Sequence, residues 1–256
     1  MSAALGFEWL QFLRAPIVRV VSLLLGLGLP VLAAVLMAAA AADGSTQLGL
    51  KAAAMSTGTS WDGYVGVVGM MLSVAAFLAI GFIACWTFGR EFTDGTQACL
   101  FALAVGRPGL ALAKFAVLLA WSMLASAACL GVALLVGLSM GFGFPEARDL
   151  GGLARSWVAG CLTALLACPL AWVASVARGY LTGVGTLVLV VMATQIATAF
   201  GVGAWNPYAA PGLWTGLAGP VAASQVGLLQ LALCPAVGIA GMAVTCLYWR
   251  SMEIRA

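Results

Sequence analysis

Residues 89–108 read GREFTDGTQACLFALAVGRP and form a long polar interruption between hydrophobic runs. The stretch carries the densest charge in the chain: it opens with Arg90, Glu91 and Asp94 and closes on Arg107. Both flanking runs are long enough to cross a bilayer, since a membrane helix needs about 20 mainly apolar residues. We therefore expect the stretch at a membrane surface, placed to contact something outside the membrane.

The composition of the whole chain supports this placement. Of 256 residues, 64% are hydrophobic and 7% are charged, and the mean hydropathy is +1.11. Soluble domains have about 45–50% apolar and about 25% charged residues. No stretch is polar enough to form a separate soluble domain, and strand-like alternation is absent. The sequence predicts an all-α membrane protein with one transmembrane domain over residues 1–256.

Six apolar runs predict six transmembrane helices. An even number of spans places both termini on the same side of the membrane. Eight of the 11 basic residues fall on the side of the termini and three on the other. Because basic residues concentrate on the cytoplasmic side, both termini and the loop after the second span are predicted to be cytoplasmic. The predicted spans lie at about 17–40, 64–88, 109–138, 156–177, 180–202 and 225–249.

The segment before the first span has the pattern of a helix that lies in the membrane interface. Leu5, Trp9, Phe12 and Leu13 share one arc of a helical wheel and predict contact with lipid, with a bend into the first span at Pro16. The polar residues of the leader are predicted to face the other way: Glu8, Gln11 and Arg14.

Residues that carry chemistry are scarce. The chain has no histidine, its 7 cysteines show no CxxC spacing, and no GxxxxGK[ST] phosphate loop occurs. A membrane enzyme would need a nucleophile with a base, or a carboxylate cluster. We therefore predict no catalytic residue, no metal site and no cofactor in this chain, and we expect no nucleic-acid partner.

Charge within the spans is also scarce. Lys114 lies near the start of the third run and is predicted to reach the headgroups. Thr186, Thr194, Gln195 and Thr198 place uncharged polar groups in the fifth run. Two interpretations of these groups stay open: hydrogen bonds to neighbouring helices, or the lining of a translocation cavity.

Two polar segments have further local signals. Asp94 is predicted as an N-cap, and Gly95 and Thr96 allow a turn. Residues 98–105 then predict a short helix that presents Leu100, Phe101 and Leu103. Before the last run, residues 205–214 read WNPYAAPGLW, which is too broken by proline to cross the membrane. This aromatic segment is expected at the outer interface, as a re-entrant element.

Residues 88–114, FGREFTDGTQACLFALAVGRPGLALAK, resemble the signature of ABC type-2 permeases. In that family a Glu, then Gly-Thr, a run of leucines and a basic residue precede a third span that carries a Lys. The small leader, the six spans and the Pro- and aromatic-rich outer loop also fit the ABCG-like type V fold. The resemblance is nearest to small permeases of bacterial peptide-antibiotic and drug exporters, although Val105-Gly106-Arg107 replaces the more frequent Pro-Val-Ser/Thr-Arg. The matching positions are Glu91, Gly95, Thr96, Leu100, Leu103, Arg107 and Lys114.

The resemblance implies a mechanism and partners. Two permease subunits, identical or related, would pair in the bacterial cytoplasmic membrane, each docked on a cytoplasmic ATPase that binds ATP and Mg²⁺. Two ATPase copies would push on the loop helix and on the leader, the segment before the first span. In the leader the residues implied are Trp9, Phe12 and Arg14. The residues implied in coupling are Arg90, Glu91, Asp94, Gly95, Thr96, Leu100, Phe101 and Arg107.

The resemblance also implies where a transported compound would pass. If a cavity lies at the subunit interface, the second and fifth spans would line it through Met70, Phe77, Thr194, Gln195 and Thr198. The predicted function is therefore export of an amphipathic or hydrophobic compound. The alternative is a structural subunit that organises a membrane complex without transport.

Overall fold

The computed structural model describes residues 2–42, 60–95 and 106–252, and these residues form helices joined by turns, with no strand among them. The predicted all-α class is confirmed. Within these ranges six helices are long and apolar enough to cross a membrane. They are Pro16–Ala41, Trp61–Thr93, Arg107–Ser139, Ala147–Val176, Tyr180–Ala199 and Leu228–Ser251.

The leader is helix α1 (Ser2–Arg14), and the first span has three parts: α2 (Pro16–Leu23), a π-helical segment (Leu24–Gly28) and α3 (Leu29–Ala42). Spans two to five are α4 (Trp61–Thr93), α5 (Arg107–Ser139), α6 (Ala147–Val176) and α7 (Tyr180–Ala199). A 3₁₀ turn (Gly203–Trp205) and the short helices α8 (Ala210–Trp214) and α9 (Gly219–Ser224) precede the sixth span, α10 (Leu228–Ser251).

The bend between leader and first span lies where proline predicts it. Ala15 has an extended backbone (ψ 125°), and Pro16 starts α2. A proline at the first helical position loses no hydrogen bond, because that N–H has no intrahelical acceptor. The chain thus changes direction at Ala15, so that α1 and the first span pack on the bundle as separate helices.

Helix α4 is the centre of the bundle. It packs most extensively against α6, and α10 packs on the other side of α6. Of the most apolar 18-residue window of α4, 61% is buried, against 11% for α7 and 22% for α10. The fifth and sixth spans therefore leave large apolar surfaces for lipid or for another subunit.

The backbone of α4, near the end of that helix, also makes a close contact with the start of α7. A Cβ atom added to Gly89 would lie 2.4 Å from the backbone nitrogen of Tyr180. Only a residue without a side chain permits this approach. Gly89 thereby fixes the end of α4 against the beginning of the fifth span.

The second span extends further than the hydrophobic run indicates. Helix α4 continues through Arg90 and Glu91 to Thr93, so these two charged residues are helical rather than part of a loop. Asp94, predicted as the N-cap of a following helix, is the C-cap of α4, and its N–H donates to the Arg90 carbonyl at 2.7 Å. Gly95 follows with a φ of 69°. Thr96, Leu100 and Phe101, together with the predicted helix over 98–105, lie outside the described residues.

Candidate functional site

Three charged side chains meet inside the bundle. Lys114 of α5 has no solvent-exposed surface, and its Nζ lies 3.0 Å from Oε2 of Glu8 in α1. The same Nζ donates to Oε1 of Glu91 in α4. Glu8 and Glu91 are 2% and 5% exposed. We call these three residues the ion cluster, and we call the end of the bundle where it lies the leader end.

Apolar packing on each helix holds the ion cluster in place. Glu8 and Phe12 share one face of α1, and the Phe12 ring packs edge-on against Trp121 of α5 at 5.6 Å between ring centroids. Next to Glu91, Phe88 packs against Phe115 at 4.6 Å. These aromatic contacts hold α1 and α4 against α5, the helix that carries Lys114.

The ion cluster corrects two expectations from the sequence. Lys114 does not reach the headgroups, because two carboxylates inside the bundle neutralise it. Glu8, predicted on the face opposite the apolar arc, is buried in the bundle together with Phe12 of that arc, whereas Leu5 and Leu13 of the arc are 43% and 39% exposed, a surface that lipid can contact. The wheel pattern correctly predicts a helix but assigns Glu8 to the wrong face, because it treats every carboxylate as a group that needs water.

The ion cluster contains more acidic groups than basic groups. It contains two carboxyl groups and one ammonium group, and Oε1 of Glu8 is buried without a hydrogen bond to any described residue. Breaking a buried pair by removing one partner typically costs about 3–5 kcal/mol. Loss of Lys114 would leave both carboxyl groups without their cation, so Lys114 is the residue that holds α1, α4 and α5 together.

The other predicted coupling residues lie near this end with separate contacts. The Arg90 guanidinium carbon lies 4.4 Å from the centroid of the Trp86 ring. Arg107 donates to the carbonyl of Met252, which ties the start of α5 to the end of α10. In the predicted leader set, Phe12 is buried, Trp9 is half-buried and Arg14 is exposed.

A second site lies towards the opposite end of α4. It is a cavity of about 320 Å³, within the usual range for small-molecule sites, and no charged side chain lines it. We call it the hydroxyl-lined cavity. Its lining includes Ser73, Val74, Phe77, Thr163, Val191, Thr194, Gln195, Thr198, Tyr208, Gly212 and Leu213.

Four of the five residues predicted for the substrate path therefore lie together: Phe77, Thr194, Gln195 and Thr198. Met70 is half-buried and does not line the cavity. The Thr198 hydroxyl donates to the Thr194 carbonyl of its own helix at 2.8 Å. Three of the four polar residues of the fifth run thus line this cavity, whereas the Thr186 hydroxyl lies outside it and donates to the Thr182 carbonyl at 3.0 Å.

The segment between the fifth and sixth spans closes the cavity. Phe77 packs edge-on against Tyr208 at 5.4 Å, and the hydroxyls of Ser73 and Thr215 lie 2.8 Å apart. Burial raises the pKa of the Tyr208 hydroxyl above its ordinary value, so this group stays neutral. The sequence analysis included Tyr208 in the aromatic segment 205–214 but assigned it to no cavity. It did not name Ser73, since a single polar residue in an apolar run gives no periodic signal.

Neither site has the arrangement of a catalytic or metal centre. Within the described ranges no group of three or more His, Cys, Asp or Glu residues could hold a metal ion. The hydroxyl-lined cavity has no acid, base or nucleophile pair, and in the ion cluster all three charged groups are buried. The arrangement can attach helices to each other and can hold an uncharged or amphipathic molecule.

Comparison with known proteins agrees with this arrangement. Residues 4–195 match the family described as "ABC-2 family transporter protein". The chain is also 24% identical over 178 residues to the bacitracin transport permease protein BCRB of Bacillus licheniformis, which covers 68% of this chain and 83% of that relative. With six apolar helices and a family match over most of its length, the chain belongs to the ABC-2 family of transporter membrane subunits.

Proposed function

We propose that this permease subunit exports an amphipathic or hydrophobic compound, such as a peptide antibiotic or drug, across the bacterial cytoplasmic membrane. The main observation in support of this proposal is that one helix, α4, contributes both to the hydroxyl-lined cavity and to the ion cluster. From Phe77 to Glu91 the helix spans about 21 Å. Any displacement of α4 at the leader end therefore reaches the cavity.

The cavity supports a substrate of this chemical class. Hydroxyl and amide side chains line the cavity together with apolar side chains. Because no charged side chain lines it, binding of a molecule there does not require an ion of the protein to lose its water. The similarity to a bacitracin transport permease favours a peptide-like compound with apolar side chains. Such a molecule can satisfy Ser73, Thr194 and Gln195 with its amides while its apolar groups contact Phe77.

The energy source would be a separate ATPase, because this chain contains no phosphate loop. We propose two ATPase copies, which hold ATP and Mg²⁺, beneath two permease subunits that are identical or related. The poorly buried apolar surface of α7 is the proposed contact for the second permease. ATPase closure would push the loop after α4 and the leader α1, and the ion cluster would pass this motion into α4.

Reconstitution tests this proposal. The permease alone should show neither ATP hydrolysis nor transport, and addition of its ATPase should give ATP-dependent movement of the compound to the outside. Hydrolysis by a verified pure permease would contradict the assignment. An assembled complex that hydrolyses ATP and moves no tested compound in either direction would favour the structural subunit instead.

Two variants separate docking from transmission of motion. Leu100→Asp places a charge on the predicted contact face of the loop helix and should weaken co-purification with the ATPase. Glu91→Gln leaves Lys114 paired one-to-one with Glu8, so the complex should assemble and hydrolyse ATP while export falls. If both variants assemble and export normally, the leader end does not couple the two subunits.

The orientation has its own test. Arg14, Arg90, Arg107, Arg178 and Arg250 lie at the leader end, which supports a cytoplasmic location for it. A thiol reagent that cannot cross the membrane should label Asp94→Cys only from the cytoplasm and Arg148→Cys only from outside, in a background without native cysteines. Labelling of Asp94→Cys from outside would reverse the topology and the coupling argument with it.

A further inference from the structure

The side of the bundle has a groove that the proposed transport does not use. It lies between the first span and α4, has a volume of about 540 Å³, and every side chain that lines it is apolar. We call it the apolar groove. Leu24, Gly28 and Leu32 line one side, and Ala75, Leu78 and Phe82 line the other.

The π-helical segment shapes one side of the apolar groove. Leu24 and Gly28 are the first and last residues of this segment and both belong to the lining. Gly28 carries no side chain, so the first span leaves room there. The lining of α4 runs from Met71 to Phe82, which is about 16 Å along a helix. The hydrocarbon of one leaflet is about 15 Å thick, so the length of the groove suits a single hydrocarbon chain.

The cationic side chain of Arg90 lies past the Phe82 end of the apolar groove. Trp86 and Arg90 continue the same side of α4, and the Arg90 guanidinium stacks over the Trp86 ring at 4.4 Å. Its Nη2 is buried and donates no hydrogen bond to any described residue. The Arg90 side chain as a whole is only half-buried, so the remainder of this cation can meet an anionic acceptor from outside the described residues.

We propose that the apolar groove and Arg90 together bind one phospholipid of the surrounding bilayer. The acyl chain lies along Phe82, Leu78 and Ala75, and the phosphate accepts hydrogen bonds from the Arg90 guanidinium. Trp86 lies between them, where tryptophan is common at the boundary of hydrocarbon and headgroups. A carboxylate of another protein could satisfy Arg90, but it would leave the groove without hydrocarbon, and the continuity of the two features favours the lipid.

Native mass spectrometry of the delipidated full-length permease, titrated with phosphatidylglycerol, tests this site. Wild-type protein should bind one lipid more tightly than all later ones. Arg90→Gln should weaken that first binding step about tenfold, the loss expected for a charge-assisted contact. Arg250→Gln removes an exposed arginine near the same end of the bundle and should leave the first step within about twofold of wild type.

A groove variant gives an independent measurement that leaves Arg90 intact. Ala75→Phe fills the apolar groove and should abolish the tighter first step, whereas Ala127→Phe on an exposed face of α5 should not. Equal lipid binding by wild type, Arg90→Gln and Ala75→Phe would overturn the proposal. It would also be overturned if Leu78→Cys formed a disulfide between two permease copies in the membrane, since a second subunit would then cover the groove.

Discussion

The ion cluster and the hydroxyl-lined cavity lie on the same helix, yet their chemistry is opposite. At the leader end α4 uses a full charge, buried and bonded to a cation on another helix. In the cavity it offers Ser73 and Phe77, and no charged side chain belongs to the lining. Charged groups taken out of water must keep their partners, so they attach helices firmly. Neutral hydroxyls can exchange partners at little cost, which suits a site that must bind and release.

The largest effect should come from removing the single cation. Lys114→Met should lower the free energy of unfolding by about 3–5 kcal/mol, because two buried carboxyl groups lose their partner. Denaturant unfolding in detergent measures the change. Arg148→Met is the matched control, since Arg148 pairs with Asp62 at 3.5 Å with both side chains largely exposed. Such a surface pair contributes at most about 1 kcal/mol. Equal effects of the two changes would contradict the difference between the regions.

The close approach beside the ion cluster should be the next most sensitive point. Gly89→Ala places a methyl group against the backbone of Tyr180 and should cost about 1–3 kcal/mol, as overpacking does. The thermal unfolding midpoint measures it. Gly131→Ala on α5 is the control, because a Cβ there meets nothing within 4 Å. If Gly89→Ala is as stable as Gly131→Ala, the leader end is less tightly packed than the structure indicates.

A neutral ion cluster should separate attachment from stability. The triple variant Glu8→Gln, Glu91→Gln, Lys114→Met removes all three charges, and its unfolding free energy should recover to within about 2 kcal/mol of wild type, because no buried charge is left unpaired. Export by the reconstituted complex should nevertheless stay low if the charges transmit motion. Normal export by this variant would show that packing alone connects α1 to α4.

The smallest effect on folding should come from the cavity. Gln195→Ala should change the transported compound's half-saturation concentration or the resistance level about three- to tenfold, the loss of about one hydrogen bond. The amount of protein in the membrane should not change. Thr186→Ala is the control on the same helix, since Thr186 bonds to the Thr182 carbonyl and does not line the cavity. A fall in abundance without a change in specificity would assign Gln195 to helix packing.

Sequence patterns predicted the features that depend on neighbouring residues. The six spans follow from runs of apolar residues, the bend follows from Pro16, and Thr194 and Thr198 share a face because helical periodicity places them one turn apart. The ion cluster was missed because its partners are distant in sequence: Glu8 and Lys114 are 106 residues apart. A local pattern shows that a residue is charged, but it does not show whether an oppositely charged residue from a distant part of the chain lies beside it in the fold.

The separation of these partners along the chain has a consequence for biosynthesis. Glu8 and Glu91 are both made before Lys114, by 106 and 23 residues. Neither carboxyl group has its cation until the third span emerges from the ribosome and enters the bilayer. The leader is therefore synthesised well before α5, but its docking onto the bundle must wait for that helix. Synthesis order and assembly order differ at this point, and Lys114 is the residue that completes the step.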